Sequence, residues 1–153
     1  MACLLYASNT PLAAIERHLT RHQLGDGVAG AVRATADRTR DMIPAVTRVF
    51  EFLHPGIDVG DVARRTMVRL EVGIPAELAE LASALSATLT RAQYLSLLEP
   101  GLAAPDQFEL AEAAVIADCL SITEDLALEL QETVRAGRLQ EEASAALLPP
   151  PTE

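Results

Sequence analysis

Residues 27–53 read GVAGAVRATADRTRDMIPAVTRVFEFL, and the spacing of the apolar side chains within them decides the fold. Val28, Val32, Ala36, Thr39, Ile43, Val46, Phe50 and Leu53 recur at steps of three or four residues, which keeps them on one stripe of an α-helix. The pattern predicts one long amphipathic helix whose stripe is buried from end to end. Arg33, Asp37, Arg40, Asp41, Arg48 and Glu51 fall on the opposite face and are expected to meet solvent. Pro44 removes a backbone donor and crowds the carbonyl of Arg40, at a cost of about 3 kcal/mol in an undistorted helix. The apolar phase passes through it unchanged, so one kinked helix of about 27 residues, roughly 40 Å long, is expected rather than two.

Working outward, Ala2 to Ala7 has the look of a helix end. Asn9, Thr10 and Pro11 are suited to start the next helix, in which Leu12, Ile15 and Leu19 form the stripe as far as about His22. His54, Pro55 and Gly56 close the long helix. Asp58 is placed to cap a helix over about 59–72, with Val62, Thr66 and Leu70 inward. After Gly73, Pro75 opens a segment whose stripe is Leu78, Leu81, Ala82 and Leu85. Thr90 and Gln93 have the spacing of a capping box, in which each side chain bonds the other residue's backbone N–H. Ala104 and Pro105 begin a short helix to about Ala111, in a pattern that can carry on as far as Cys119. Ser121 to Thr123 precedes an acidic helix to about Ala136, with Leu126, Leu130 and Val134 inward. From Leu139 the chain reads as a tail rich in acids and proline.

Composition narrows the function. Half of the 153 residues are apolar, while aromatics are few, with three Phe, two Tyr and no Trp. Such a core of Ala, Leu, Val and Ile without alternating β-branched runs points to an all-α protein of about seven helices. The net charge of −10 is unevenly spread. Residues 1–70 hold nine Arg against seven acids, and residues 71–153 hold three Arg against fifteen acids. A polyanion is therefore repelled by the second half, and contact with one is expected to use the first. The twelve basic residues are all arginine. Without lysine there is no phosphate-loop, kinase-type or Schiff-base lysine, so the chain is expected to drive no nucleotide chemistry and to be no enzyme. Cys3 and Cys119 lack metal or redox spacing and read as reduced, packed thiols. The start MACLLYAS lacks a basic region and a cleavage site, and no apolar run approaches about 20 residues, so a cytoplasmic location without a membrane span is expected.

Three stretches in order carry a resemblance: AAIERHLTRH, then GAVRATADRTRDMIPAVTRVFEFL, then RRTMVRLEVGIPAELAELASALSATLTRAQYLSLLEPGLAAPDQFELA. Together they resemble the C-terminal region of superfamily 2 DNA-repair helicases, of the archaeal stalled-fork and polymerase-theta type. That region has a short helix, a long ratchet helix on the DNA path, and an arginine helix ending in R-x-x-x-G-[IV]-P ahead of a helix-hairpin-helix domain. Arg69 to Pro75 and Thr90 to Ala111 match best, and the resemblance spans about residues 10–136. It implies a helical bundle around the kinked helix, with a ratchet-like module over 1–72 and then a degenerate helix-hairpin-helix subdomain over 73–138, ahead of the tail over 139–153 that composition marks as flexible. It further implies single-stranded DNA and helicase motor domains, in cis or trans, as partners, with no small-molecule substrate and no cofactor. Arg33, Arg38 or Arg40 stands in the place of the ratchet residues, and Arg48, Arg64, Arg65 and Arg91 complete the candidate nucleic-acid contacts. Two departures stand out. The hairpin positions read SATLT and LSITE without glycine, whereas phosphate binding by such hairpins uses closely approaching backbone N–H groups. The ratchet helix also lacks a stacking aromatic, so base stacking worth about 1–3 kcal/mol per base falls to an arginine plane.

Other readings of the same residues stay open. Arg33 with Asp37, Asp37 with Arg40, Arg38 with Asp41 and Arg48 with Glu51 all have ion-pair spacing, which would make the arginine row a solvated face instead of a track. His18 and His22 have chelating spacing, but no carboxylate or cysteine completes a metal set. Glu124, Asp125, Glu129 and Glu132 read as a solvated acidic face. The rival function is a helical protein-interaction adaptor whose acidic C-terminal half docks on a basic partner.

Overall fold

The computed structural model describes residues 1–20 and 28–146, and among them every regular element is helical. The chain forms two compact units, Met1–Ala79 and Glu80–Glu153. The first holds α1 (Ala2–Tyr6), α2 (Leu12–Thr20), α3 (Val28–Leu53), α4 (Gly60–Val72) and a 3-10 turn (Ala76–Leu78). The second is made from α5 (Ala79–Ala84, whose first residue closes the preceding unit), α6 (Arg91–Ser96), α7 (Pro105–Leu110), α8 (Ala113–Leu120) and α9 (Glu124–Ala146).

In the first unit the core is small. Tyr6, Ala7, Ile15, Val32, Ala36 and Leu70 are buried together, with Leu5, Leu12 and Ile43 packed against them. α3 runs unbroken across Pro44 as a 26-residue helix, with α1 and α2 against its first half and α4 along it. Cys3 Sγ reaches Thr39 Oγ1 at 3.7 Å, a further tie between α1 and α3. α4 ends at Gly73, whose φ of +80° is the left-handed conformation that closes helices. The Tyr6 ring lies over Gly73 so closely that a Cβ there would be 2.4 Å from the ring. Arg69 Nη2 donates to the Ala7 carbonyl at 3.0 Å. The RLEVGIP motif thus has an architectural role: its arginine and glycine fasten α4 to the end of α1.

In the second unit Leu81, Leu85, Tyr94, Leu97, Phe108, Ile116, Leu120 and Val134 are fully or nearly fully buried. The capping box of α6 forms as its spacing predicts: Thr90 N donates to Gln93 Oε1 at 3.0 Å, and Gln93 N donates to Thr90 Oγ1 at 3.4 Å. Gln93 Nε2 also donates to the Leu120 carbonyl, and Ser96 Oγ to that of Cys119, joining α6 to the end of α8. Gln131 Nε2 lies within 3.1 Å of the carbonyls of Phe108, Glu109 and Ala111 and thereby staples the C-terminus of α7 to α9.

Several expectations from periodicity need correction. From Val32 onward the stripe of α3 is buried at Val32 and Ala36; Thr39 is exposed, Ile43 and Phe50 are half-buried, and Val46 and Leu53 are 59% and 64% exposed. Val62 on α4 faces solvent while Leu70 is buried. The inner face of α9 is Ala127, Gln131 and Val134, one residue round from the predicted Leu126 and Leu130. That helix also continues past Gly137 to Ala146 instead of ending near Ala136. α7 and α8 are separate, because Ala111 and Glu112 are extended between them. His22, four residues beyond His18, lies outside the described residues.

Candidate nucleic-acid interface

α3 is the element on which the candidate contacts depend. At about 100° per residue, Arg33, Arg40 and Arg48 lie within roughly 80° of arc on one face, and Arg38 lies about 80° beyond Arg48. Arg33, Arg38 and Arg48 are exposed, and among the described residues none of them makes an ion pair or hydrogen bond. Of the four pairs that spacing allows, only Asp37 with Arg40 forms, at 3.8 Å; Arg40 also lies 3.8 Å from Asp41. At those separations and with both partners partly solvated, the attraction amounts to no more than about 1 kcal/mol. Arg40 remains able to exchange a carboxylate for another anion.

The other candidates are more engaged. Arg64 and Arg65 both bind Asp61, at 2.9 and 2.8 Å, so one carboxylate holds two guanidinium groups and leaves a net positive charge at the start of α4. Arg91 is half-buried at the first turn of α6. Arg69, which sequence reasoning left out of the site, is committed to the Ala7 carbonyl. In the second unit Arg135 and Arg138 bind Glu109 at 2.6 and 3.0 Å, and Arg138 also binds Asp106. Glu124, Asp125, Glu129 and Glu132 on α9 are exposed without an ion pair among the described residues. The two sets of unpaired charge, cationic on α3 and anionic on α9, therefore belong to different units.

The SATLT and LSITE segments have an unusual backbone. Ser86, Ala87 and Ser121 have φ of +49°, +55° and +55°, a region that glycine occupies freely and other residues enter at a cost. These three lie in the SATLT and LSITE segments, so the chain bends there in the way a glycine would favour while carrying side chains.

Among the described residues no group of three His, Cys, Asp or Glu is gathered for a metal, and Cys3 and Cys119 are both free thiols. No helix of the described residues is long and apolar enough to cross a membrane. The described chain is an all-α protein whose unpaired guanidinium groups are concentrated on one long helix. No family model, curated protein or solved structure matches it.

Proposed function

We propose that this chain is an accessory, non-motor C-terminal region of an ATP-dependent DNA helicase, in which α3 guides single-stranded nucleic acid and the surrounding module regulates the motor. The observation that carries this reading is the set Arg33, Arg38 and Arg48, exposed on one helix and, among the described residues, free of carboxylate partners. Arg33 and Arg48 are separated by about 22 Å along the axis, enough to follow a strand over several nucleotides. The RLEVGIP fastening and the left-handed turns at the glycine-less hairpin positions are in keeping with the helicase resemblance. Motor domains, in the same chain or another, would supply the nucleotide site that a lysine-free sequence lacks.

The reading is tested by anisotropy of a labelled single-stranded oligothymidylate titrated with the full chain at low and moderate salt. Changing Arg33, Arg38 and Arg48 together to Ala is expected to weaken binding at least tenfold. The slope of log K against log salt should fall by about 2, at roughly 0.7 for each phosphate no longer neutralised. Equal binding by both proteins, or binding by neither, overturns the assignment. The adaptor reading retains one observation of its own, the unpaired acids of α9, and predicts binding to a basic protein that these arginine changes leave intact.

A further inference from the structure

The second half of α3 carries a surface that the arginine track does not use. Met42, Val46, Val49 and Leu53 are each between 59% and 64% exposed. Their spacing of four, three and four residues is the seam of a coiled coil, in which side chains on one helix enter holes formed by four on another. Ala45 and Phe52, the latter 85% exposed, flank the seam on its outer side. Ile43 and Phe50 flank it on the side of α4, where a cleft of about 390 Å³ opens between the helices, with Val59 and Val62 on its far wall. A second concavity, lined by Ala45, Val46, Val49, Phe50 and Leu53, lies on the seam itself.

We infer that this seam is an interface between two copies of the chain, paired antiparallel through α3. The spacing is symmetric about the midpoint of residues 47 and 48. A two-fold axis there sets Met42 against Leu53 of the second copy and Val46 against Val49, so every seam residue has an apolar counterpart. Phe52 of each copy then falls beside Ala45 of the other, over the concavity on the seam. The seam and both its flanks are uncharged over residues 42–53, so two copies meet without like charges opposed; Pro44, Arg48 and Glu51 point away from it. The exposed side chains amount to on the order of 600 Å², the upper end of what monomers leave uncovered. That is most of the roughly 800 Å² that each partner contributes to a stable interface. This pairing rests on the apolar seam alone and stands apart from the nucleic-acid reading, which rests on the arginines.

The test is sedimentation of the full chain over a range of concentrations up to several hundred micromolar. Wild type is expected to reach twice the 16.3 kDa mass of one chain. Val46→Glu and Phe52→Glu, both at exposed positions, should keep the wild-type helical circular dichroism and remain monomeric. A wild type that stays monomeric throughout, or a dimer that persists in the folded Glu variants, overturns the proposal. Orientation is read with Cys3→Ser, Cys119→Ser chains carrying Val46→Cys or Val49→Cys. Oxidative cross-linking that requires both chains in one mixture supports the antiparallel pair, whereas cross-linking of each alone overturns it.

Discussion

At the scale of single residues, Gly73 and Tyr94 show how little latitude each unit has. Gly73 must hold a φ of +80° under the Tyr6 ring, and a Cβ would meet three ring carbons at 2.4–2.8 Å. Gly73→Ala adds backbone strain to a clash against a buried aromatic. A loss of about 2–4 kcal/mol is expected, read as a lower urea midpoint with unchanged slope. Tyr94 has no accessible surface. Its burial pushes the hydroxyl up to about 12 from 10.0, with the Leu89 backbone drawing it partly back. The folded state favours the protonated phenol, so its contribution is complete below pH 10, where the unfolded tyrosine begins to ionise. It declines as pH rises and is gone above about 12. Stability should fall by on the order of 2–3 kcal/mol across that window. Tyr94→Phe, which has no proton to lose there, should show a smaller fall in the same urea titrations.

At the scale of elements, α7 depends on a residue of another helix. Its last carbonyls have no partner within the helix, and Gln131 supplies one donor group to three of them. Gln131→Leu keeps the bulk and removes the donor, and a loss of about 2–3 kcal/mol is expected on thermal unfolding, since buried acceptors would be left unpaired. Gln131→Glu should be worse, because a carboxylate facing three carbonyls is repelled by them. Nothing in the sequence marks Gln131, because its environment is made by carbonyls about twenty residues away. The local signals, by contrast, were legible: the Thr90 and Gln93 box and Pro105 at a first turn involve residues within one turn of each other. Periodicity also found the apolar face of α3. It could not say that this chain leaves much of that face uncovered beyond Thr39, because spacing reports an amphipathic face and not its cover. In α9, leucines at 126, 128 and 130 surround the helix and hid the true phase, and Gly137 looked like a stop. A Cβ there would meet Ala84 only at 3.8 Å, so the site places no demand on glycine and the helix passes through. Of the candidate site, the arginine positions were readable, but which of them find carboxylates was not. Side-chain geometry at Asp37 and Asp61 decides that.

At the scale of the whole molecule, charge sets the terms on which any polyanion can approach. The chain carries −10, and a strand drawn to Arg33, Arg38 and Arg48 must approach against that field. Four of the acids, Glu124, Asp125, Glu129 and Glu132, are exposed on α9 and make no ion pair among the described residues. Changing them to Gln and Asn raises the net charge from −10 to −6 and should hardly alter the fold, since these carboxylates hold no described neighbour in place. If α3 guides nucleic acid, the neutralised chain should bind a single-stranded oligonucleotide several-fold more tightly at low salt. The gain should shrink as the Debye length falls to about 8 Å near 0.15 M salt. It should also vanish when Arg33, Arg38 and Arg48 are changed to Ala in the same chain, because relief of repulsion helps only where there is something to attract. The adaptor reading predicts a different response: the same four changes remove the groups that would hold a basic partner, while oligonucleotide binding stays absent in both proteins. Measuring oligonucleotide affinity for the four combinations of acidic and arginine faces, at two salt concentrations, separates the two functions by whether neutralising the acids raises that affinity or leaves it absent.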